Sequence, residues 1–370
     1  LSVSLLVAGG GTGGHLFPGV AVARELMARV PGAAVTFVGT AAGIEARVIP
    51  REGLTLETIR SAGLKGKSPV ALLRGLLLLP LSAMDAWSVI SRRRPSVVIG
   101  VGGYSSGPVV ALAALRGVPT LLMEQNATPG LTNRLLSRLV RAAAVTYEES
   151  LATFGSKAFV AGNPVRPEFF AAPSAEAPAA AGATRVLVFG GSQGAHAINV
   201  AMAEGAAALA SAPGVVVTHQ TGERDVAMVR EAYVKAGLTA RVEPFLYEMD
   251  REMRAADVIV CRAGATTLAE LTAAGRAAIL IPLPTATDDH QRKNADALER
   301  QGAARVIDQR ELTGARLAEA LLGLARDGAA RSRMAAAAKG MARPDAARVI
   351  VDKVLALAGY GQPPARKAGN

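Results

Sequence analysis

Two segments pair glycines with neighbours suited to holding a phosphorylated ligand. Gly9-Gly10-Gly11-Thr12-Gly13-Gly14-His15 follows the apolar run 3–7, and Gly190-Gly191-Ser192-Gln193-Gly194 follows the run 185–189. A strand that passes through glycines into a helix leaves backbone N–H groups and the positive end of the helix dipole facing one spot, which suits phosphate. A third turn, Gly102-Gly103-Tyr104-Ser105-Ser106-Gly107-Pro108, follows 97–101, and Glu124-Gln125-Asn126 ends the strand after it. Parallel strands all end on one side of a sheet, so His15, Glu124, two amides and the hydroxyls of Ser105 and Ser106 are expected along one rim. That is a hydrogen-bonding set for a sugar or a diphosphate. No Ser-His-Asp or cysteine triad can be assigned.

Gly9, Gly11 and Gly14 formally satisfy the dinucleotide fingerprint. A Rossmann dehydrogenase also places an acid at the end of the second strand, where it holds the ribose. Here that strand ends Val38-Gly39-Thr40, with Glu45 beyond it, which argues against a nicotinamide cofactor. Further on, Gly264-Ala265-Thr266-Thr267 precedes a helix that carries Glu270. The helix start offers N–H groups to a phosphate, and the two oxygens of Glu270 could accept both hydroxyls of a ribose. The same residues also fit a capping box, with Thr267 as N-cap and Glu270 three residues on. Asp288-Asp289-His290-Gln291 resembles a metal-binding run but lies in one loop with no second cluster, and no Asp-x-Asp pair occurs. Helix dipoles and backbone N–H groups, rather than a chelated cation, are expected to hold a diphosphate; no metal and no cofactor is expected.

The elements that must position these residues alternate. Strand patterns at 3–7, 35–38, 97–101, 118–123, 142–146 and 158–161 are separated by helical patterns at 17–29, 81–91, 107–115 and 130–139. After the Ala/Pro/Gly-rich connector 171–184 the alternation restarts, with strands at 185–189, 215–220, 242–244, 258–261, 278–282 and 304–307. Helices are expected at 197–210, 224–236, 267–274, 291–301 and 312–325. The pattern predicts an α/β protein of two Rossmann-like, doubly wound parallel-sheet domains facing a cleft. The first domain is expected over 1–163 and the second over 164–344. A last helix, about 345–358, packs back on the first, and 360–370 forms a disordered tail.

A chain of 370 residues, half of them apolar, fits two such domains. Its single cysteine, Cys261, excludes an internal disulfide and reads as a buried thiol. No stretch reaches the roughly 18 apolar residues of a membrane span, and the start lacks the order of a signal peptide. The net charge of +11 is uneven: Arg60, Lys65, Lys67, Arg74, Arg92, Arg93 and Arg94 face only Asp85 within their stretch, around an apolar run at 76–79 and Trp87. Such a stretch could lie in the headgroup layer of an anionic membrane, or could be a buried helix with a solvated basic end. Nucleic acid is not expected, because the basic residues are not interleaved with aromatics.

Taken in order, Gly10 to His15, Gly102-Gly103-Tyr104 with Ser106-Gly107-Pro108, Glu124-Gln125-Asn126, Gly162-Asn163-Pro164-Val165-Arg166, Gly190 to Ala195, Cys261-Arg262 with Gly264-Ala265, and Gln291 with Asn294 form a series along most of the chain. This series closely resembles the peptidoglycan N-acetylglucosaminyltransferase family of the two-domain GT-B class. The resemblance implies transfer of N-acetylglucosamine from UDP-N-acetylglucosamine to the C4 hydroxyl of the muramyl sugar in undecaprenyl-diphosphoryl-N-acetylmuramyl-pentapeptide (lipid I). The product is lipid II, and the anomeric centre inverts. It implies a peripheral protein on the cytoplasmic face of the plasma membrane. By the resemblance, Leu246 matches the position whose backbone reads uracil, Arg166 a position near the base, and Glu270 the ribose acid. Ser192, Ala265, Thr266 and Thr267 match diphosphate contacts, Asn126 and Gln291 donor-sugar contacts, and Thr12, Gly13 and Gly14 the loop over the reacting centre. The inverting reaction needs a base for the acceptor hydroxyl. His15 and Glu124 are the two candidates. The chain departs from the family pattern at Met123, Ala263, Thr266 and His290, where relatives often carry His, Ser, Leu and Gln.

Overall fold

The computed structural model describes residues 3–61, 69–172, 183–191 and 194–361, with the backbone alone for 69–77. The chain divides into two compact units, one of Leu1–Pro164 with Asp345–Asn370 and one of Val165–Pro344. In the first, β1 (Ser4–Gly9), β2 (Ala34–Gly39), β3 (Thr55–Thr58), β4 (Val97–Gly102), β5 (Thr120–Glu124), β6 (Ala142–Val145) and β7 (Ala158–Val160) form one sheet in the order β3-β2-β1-β4-β5-β6-β7. In the second, β8 (Thr184–Phe189), β9 (Val215–Gln220), β10 (Ala240–Glu243), β11 (Val258–Cys261), β12 (Ala277–Leu280) and β13 (Arg305–Val306) run β10-β9-β8-β11-β12-β13. Every pairing is parallel. Both sheets therefore reverse their winding beside their first strand, between β1 and β4 and between β8 and β11. The carboxyl ends of the strands at such a reversal are where doubly wound sheets bind ligands.

The apolar runs of the strands become the core because both faces of a parallel sheet are covered. Leu5, Val7, Val97 and Ile99 pack with Leu16 and Leu26 of the helix Gly13–Arg29, and with Ile350, Val351 and Val354 of Ala346–Leu357. Leu6, Ala8 and Val98 face Val89, Ile90, Val109 and Val110 on the other side. In the second unit Val186, Val188, Val258 and Val260 hold the corresponding centre. Cys261 is buried there, and burial pushes its thiol up. The helix Ala346–Leu357 belongs to the first unit, where Asp352 pairs with Arg29 at 2.7 Å.

Several elements differ from expectation, each for a local reason. β3 is a short edge strand, Thr55-Leu56-Glu57-Thr58, with one apolar residue and no apolar run to announce it. The expected helix 197–210 is two helices, His196–Glu204 and Ala206–Ala210. They break at Gly205, where a Cβ would crowd the Gly314 carbonyl oxygen. The helices Glu45–Arg51, Met249–Ala255 and Gly328–Gly340 were not expected. Gly328–Gly340 buries only Ala338, so it carries no apolar stripe; Asp327 starts it by accepting the Ala330 N–H at 2.8 Å.

The basic stretch is corrected. The helix there runs Pro69–Arg93, far longer than 81–91. Arg92 and Arg93 both pair with Glu57, at 3.0 and 2.6 Å, and Arg60 pairs with Asp85 at 2.6 Å. Glu57 on β3 is a counter-charge outside the stretch. Lys65 and Lys67, the side chains of Arg74, Leu76 and Leu77, most of the connector, and 362–370 of the tail lie outside the described residues. Among the described residues no helix is long and apolar enough to cross a membrane.

Candidate active site

In the first unit the two turns at the sheet reversal interlock backbone to backbone. Gly9, Gly10 and Gly11 all have positive φ, as do Gly102 and Gly103. A Cβ on Gly9 would overlap the Gly102 carbonyl oxygen, and one on Gly103 the Gly10 carbonyl oxygen. Only glycine allows this approach. Beneath the first turn sits Glu45, 1% exposed. Its carboxylate accepts the Gly11 N–H at 2.8 Å and the Thr40 N–H and hydroxyl at 2.8 and 3.0 Å. The Gly11 amide is therefore already engaged from below. The same bonds explain why Glu45 is not a ribose acid.

The turn passes through Thr12, in an extended N-cap conformation, into the helix Gly13–Arg29. Gly13, Gly14 and the half-buried His15 form its first turn. Thr12 Oγ1 lies 3.1 Å from His15 Nδ1. When that hydroxyl accepts the Nδ1 proton, Nε2 carries the lone pair a general base needs. The imidazole lies against Gly102, where a Cβ would crowd its Cδ2 and Nε2. Ser105 and Ser106, expected to face the rim, are buried, and Ser106 Oγ donates to the Gly103 carbonyl at 2.9 Å. The Ser106 hydroxyl braces the turn.

Glu124, the second candidate for the base, is built in as a brace. It is 3% exposed. Oε1 accepts the N–H and Nδ2 of Asn126 at 3.0 and 3.2 Å, and Oε2 accepts the Gly130 N–H and Asn133 Nδ2 at 3.0 and 2.8 Å. Burial pushes its carboxyl up against these four donors. All its acceptor capacity is spent on holding the segment that carries Asn126. Glu124→Gln is expected to leave a donor facing a donor and lower the unfolding midpoint by several degrees, at about 2–4 °C per kcal/mol. Thermal denaturation beside steady-state kinetics checks this. An unchanged midpoint with a turnover loss of about a hundredfold or more would restore Glu124 as the base.

In the second unit β8 runs into Gly190-Gly191, and Gly194 returns its N–H to the Gly191 carbonyl at 2.9 Å. A Cβ on Gly194, whose φ is +73°, would overlap the Thr221 carbonyl. Ser192 lies outside the described residues. Across the reversal, β11 leads through Arg262 and Ala263 to the helix Ala265–Ala274. Gly264 is its N-cap, and no side chain caps it. The capping box is therefore excluded: Thr267 is the third helical residue rather than the cap. The first amides of the helix, those of Ala265, Thr266 and Thr267, point out of its N-terminal end. Glu270 stands one turn further on, half-buried, and its carboxylate receives no hydrogen bond among the described residues. Burial pushes it up to about 7, with Arg166 lowering it and Asp250 raising it. A carboxylate set among protein atoms without a donor suits an incoming diol.

The remaining positions fall around these two starts. Arg166 is exposed and carries its guanidinium 5.2 Å from the Phe169 ring centre. Gln291 Oε1 accepts the N–H groups of Ala263 and Leu283 at 3.3 and 3.0 Å, tying the loops after β11 and β12 together and directing its amide nitrogen elsewhere. Arg262 donates to the carbonyls of Ile281 and Pro282 at 3.1 and 3.3 Å, so its charge serves the fold. Leu246 is buried and its N–H donates to Gln220 Oε1 at 2.9 Å. A backbone reading of a base by Leu246 must therefore use its carbonyl. Glu45, Asn133 and Gln220 were missed from the sequence; Glu45 and Gln220 act on segments remote in the chain, and no local pattern signals any of the three. Among the described residues no three His, Cys, Asp or Glu side chains converge.

Two parallel sheets of the same strand order, each with a glycine turn at its reversal, form the architecture of the two-domain GT-B glycosyltransferases. The chain belongs to glycosyltransferase family 28: residues 5–145 match its N-terminal domain and residues 185–350 its C-terminal domain. It is a hexosyltransferase. It is 47% identical, over 95% of its length and 92% of the relative's, to the UDP-N-acetylglucosamine--N-acetylmuramyl-(pentapeptide) pyrophosphoryl-undecaprenol N-acetylglucosamine transferase of Anaeromyxobacter dehalogenans strain 2CP-C. The transferase of the same name from Pelobacter propionicus is 45% identical, over 95% of this chain and 99% of that one. Among solved structures, MurG of Acinetobacter baumannii superposes with a TM-score of 0.77 at 32% identity, over 96% of this chain and 99% of that one.

Proposed function

We propose that this chain transfers N-acetylglucosamine from UDP-N-acetylglucosamine to undecaprenyl-diphosphoryl-N-acetylmuramyl-pentapeptide, forming the lipid-linked disaccharide of peptidoglycan synthesis. The observation that carries this reading is the likeness to transferases of that name along both units. The second unit takes the donor. The start of Ala265–Ala274 and the Gly190–Gly194 turn hold the diphosphate, Glu270 accepts the ribose hydroxyls, Leu246 and Arg166 flank the base, and Gln291 meets the sugar. The first unit takes the acceptor, and Asn126, like Gln291, is a donor-sugar contact. His15 removes the proton of the acceptor hydroxyl as that oxygen attacks the anomeric carbon from the face opposite UDP. The charge that develops on leaving UDP falls on oriented peptide dipoles, which need no reorganisation as the bond breaks. The test is transfer of label from UDP-N-acetylglucosamine to each of two lipids. Product with the muramyl-pentapeptide lipid and none with diacylglycerol supports the reading; the reverse contradicts it.

The first unit also docks on the cytoplasmic face of an anionic membrane. Support comes from exposed apolar residues and arginines on three neighbouring helices. Met84 and Trp87 stand exposed on Pro69–Arg93, Leu115 on Ser106–Leu115, and Leu131 and Leu135 on Leu131–Leu136, three helices packed side by side. Arg116 lies 4.3 Å over the Trp87 ring, and Arg134 and Arg138 are exposed beside the leucines. Since Arg92 and Arg93 are paired with Glu57, the informative variant changes Trp87 and Leu135 to Ser and Arg116 and Arg138 to Glu. It is expected to lose most co-sedimentation with vesicles containing phosphatidylglycerol, while UDP affinity stays unchanged. Undiminished sedimentation would remove the patch as the docking face.

A further inference from the structure

Gln220 ends β9 at the same edge of the sheet as the donor loops, and it is 2% exposed. Its side-chain amide is used at both ends. Nε2 donates to the Gly191 carbonyl at 2.9 Å, and Oε1 accepts the Leu246 N–H at 2.9 Å. The partners fix the orientation of the amide, because a carbonyl can only accept and an N–H can only donate. The segment it reaches is carried along the end of β9 by two further bonds, Thr221 N–H to the Glu243 carbonyl at 3.0 Å and Gly222 N–H to the Pro244 carbonyl at 3.1 Å. The next residue, Thr221, offers the carbonyl on which Gly194 rests. One strand end thus supports the glycine turn and the Leu246 segment at once.

Behind it lies a polar core that keeps this strand end from shifting. His219 is fully buried, with Nδ1 2.8 Å from the Tyr233 hydroxyl and Nε2 3.0 Å from Asn199 Oδ1. Burial lowers the imidazole to about 3, so it stays neutral. Asn199 Nδ2 donates to the Thr221 carbonyl and to Asp225, both at 2.8 Å, and Asp225 also receives His196 Nδ1 at 2.9 Å. A network satisfied at each step is rigid, and losing one member leaves a buried group unpaired.

We infer that Gln220 is a positioning residue for the donor, coupling the turn assigned to the diphosphate with the segment assigned to the base through a single amide. The inference rests on the placement of UDP in the second unit. It follows that base and phosphate are recognised as one unit: the glycine turn and the Leu246 carbonyl keep a fixed spacing because both hang on Gln220.

The test compares UDP and uridine binding to the full chain, by calorimetry for UDP and by competition for uridine. Gln220→Met removes both bonds. It is expected to weaken UDP and raise donor KM by about tenfold, with turnover at saturating donor within about twofold of the unsubstituted protein. Gln220→Glu keeps an acceptor for the Leu246 N–H and loses the donor to Gly191. It is expected to bind uridine as before while losing most of the affinity that the diphosphate adds. A purely structural role would lower the unfolding midpoint without moving the ratio of UDP to uridine affinity. A folded Gln220→Met protein that binds UDP as tightly as the unsubstituted one would overturn the inference. If that variant does not fold, the ratio measured in Gln220→Glu decides. Absence of UDP binding in the unsubstituted protein would overturn the donor placement and the inference with it.

Discussion

Replacing His15 with alanine is expected to lower turnover by about a hundred- to ten-thousand-fold, the range for a lost general base, while UDP affinity stays where it was. The two halves of this expectation have different sources. His15 stands on the first unit, at the first turn of Gly13–Arg29, and the groups proposed for the nucleotide stand on the second, so nucleotide binding is not expected to depend on the imidazole. The rest of the turn survives the substitution. Gly11 is held by Glu45, and Gly9 and Gly103 are held by backbone packing against the neighbouring turn. His15 is the base we propose because the other candidate is engaged, with four donors on the two oxygens of Glu124. Steady-state kinetics with calorimetry on the same protein checks the point. Near-normal turnover would remove His15 as the base.

Replacing Glu270 with alanine is expected to raise donor KM by about ten- to a hundredfold, the cost of losing hydrogen bonds to a charged acceptor, with a smaller change in turnover. The free carboxyl is pushed up to about 7, chiefly by burial, with Arg166 opposing and Asp250 assisting. The sign of the pH dependence follows. A ribose diol donates two protons and so favours the ionised carboxylate; donor binding therefore gains as pH rises through the free value. Between pH 6 and 8 the ionised form becomes the major one, so donor KM should fall severalfold. Glu270→Gln should show no such fall. A donor KM that is flat across this range in the unsubstituted protein, and unmoved by the alanine substitution, would take Glu270 out of the donor site.

Much of this was legible in the chain. The strand and helix periodicities gave the two doubly wound sheets, because a parallel sheet buries both faces and its strands read as short apolar runs. The glycine turns were legible because backbones that meet at Gly9 and Gly103 tolerate no other residue. What stayed hidden depends on contacts across long stretches of chain. Glu45 holds Gly11, and Gln220 holds Gly191 and Leu246, yet neither carries a local signature. The start of the helix carrying Glu270 was misplaced because Thr267 and Glu270 have capping-box spacing. Gly264 adopts the extended cap conformation instead and moves the start to Ala265. Ser105 and Ser106 were expected outward by sequence polarity but are buried, and Ser106 donates its hydroxyl to the Gly103 carbonyl of the same turn.

The most direct test is a crystal structure of the full chain with UDP. The account predicts the diphosphate against the first amides of Ala265–Ala274, the ribose hydroxyls on Glu270 and the uracil at the Leu246 carbonyl. A nucleotide bound instead at the turn above Glu45 would contradict it.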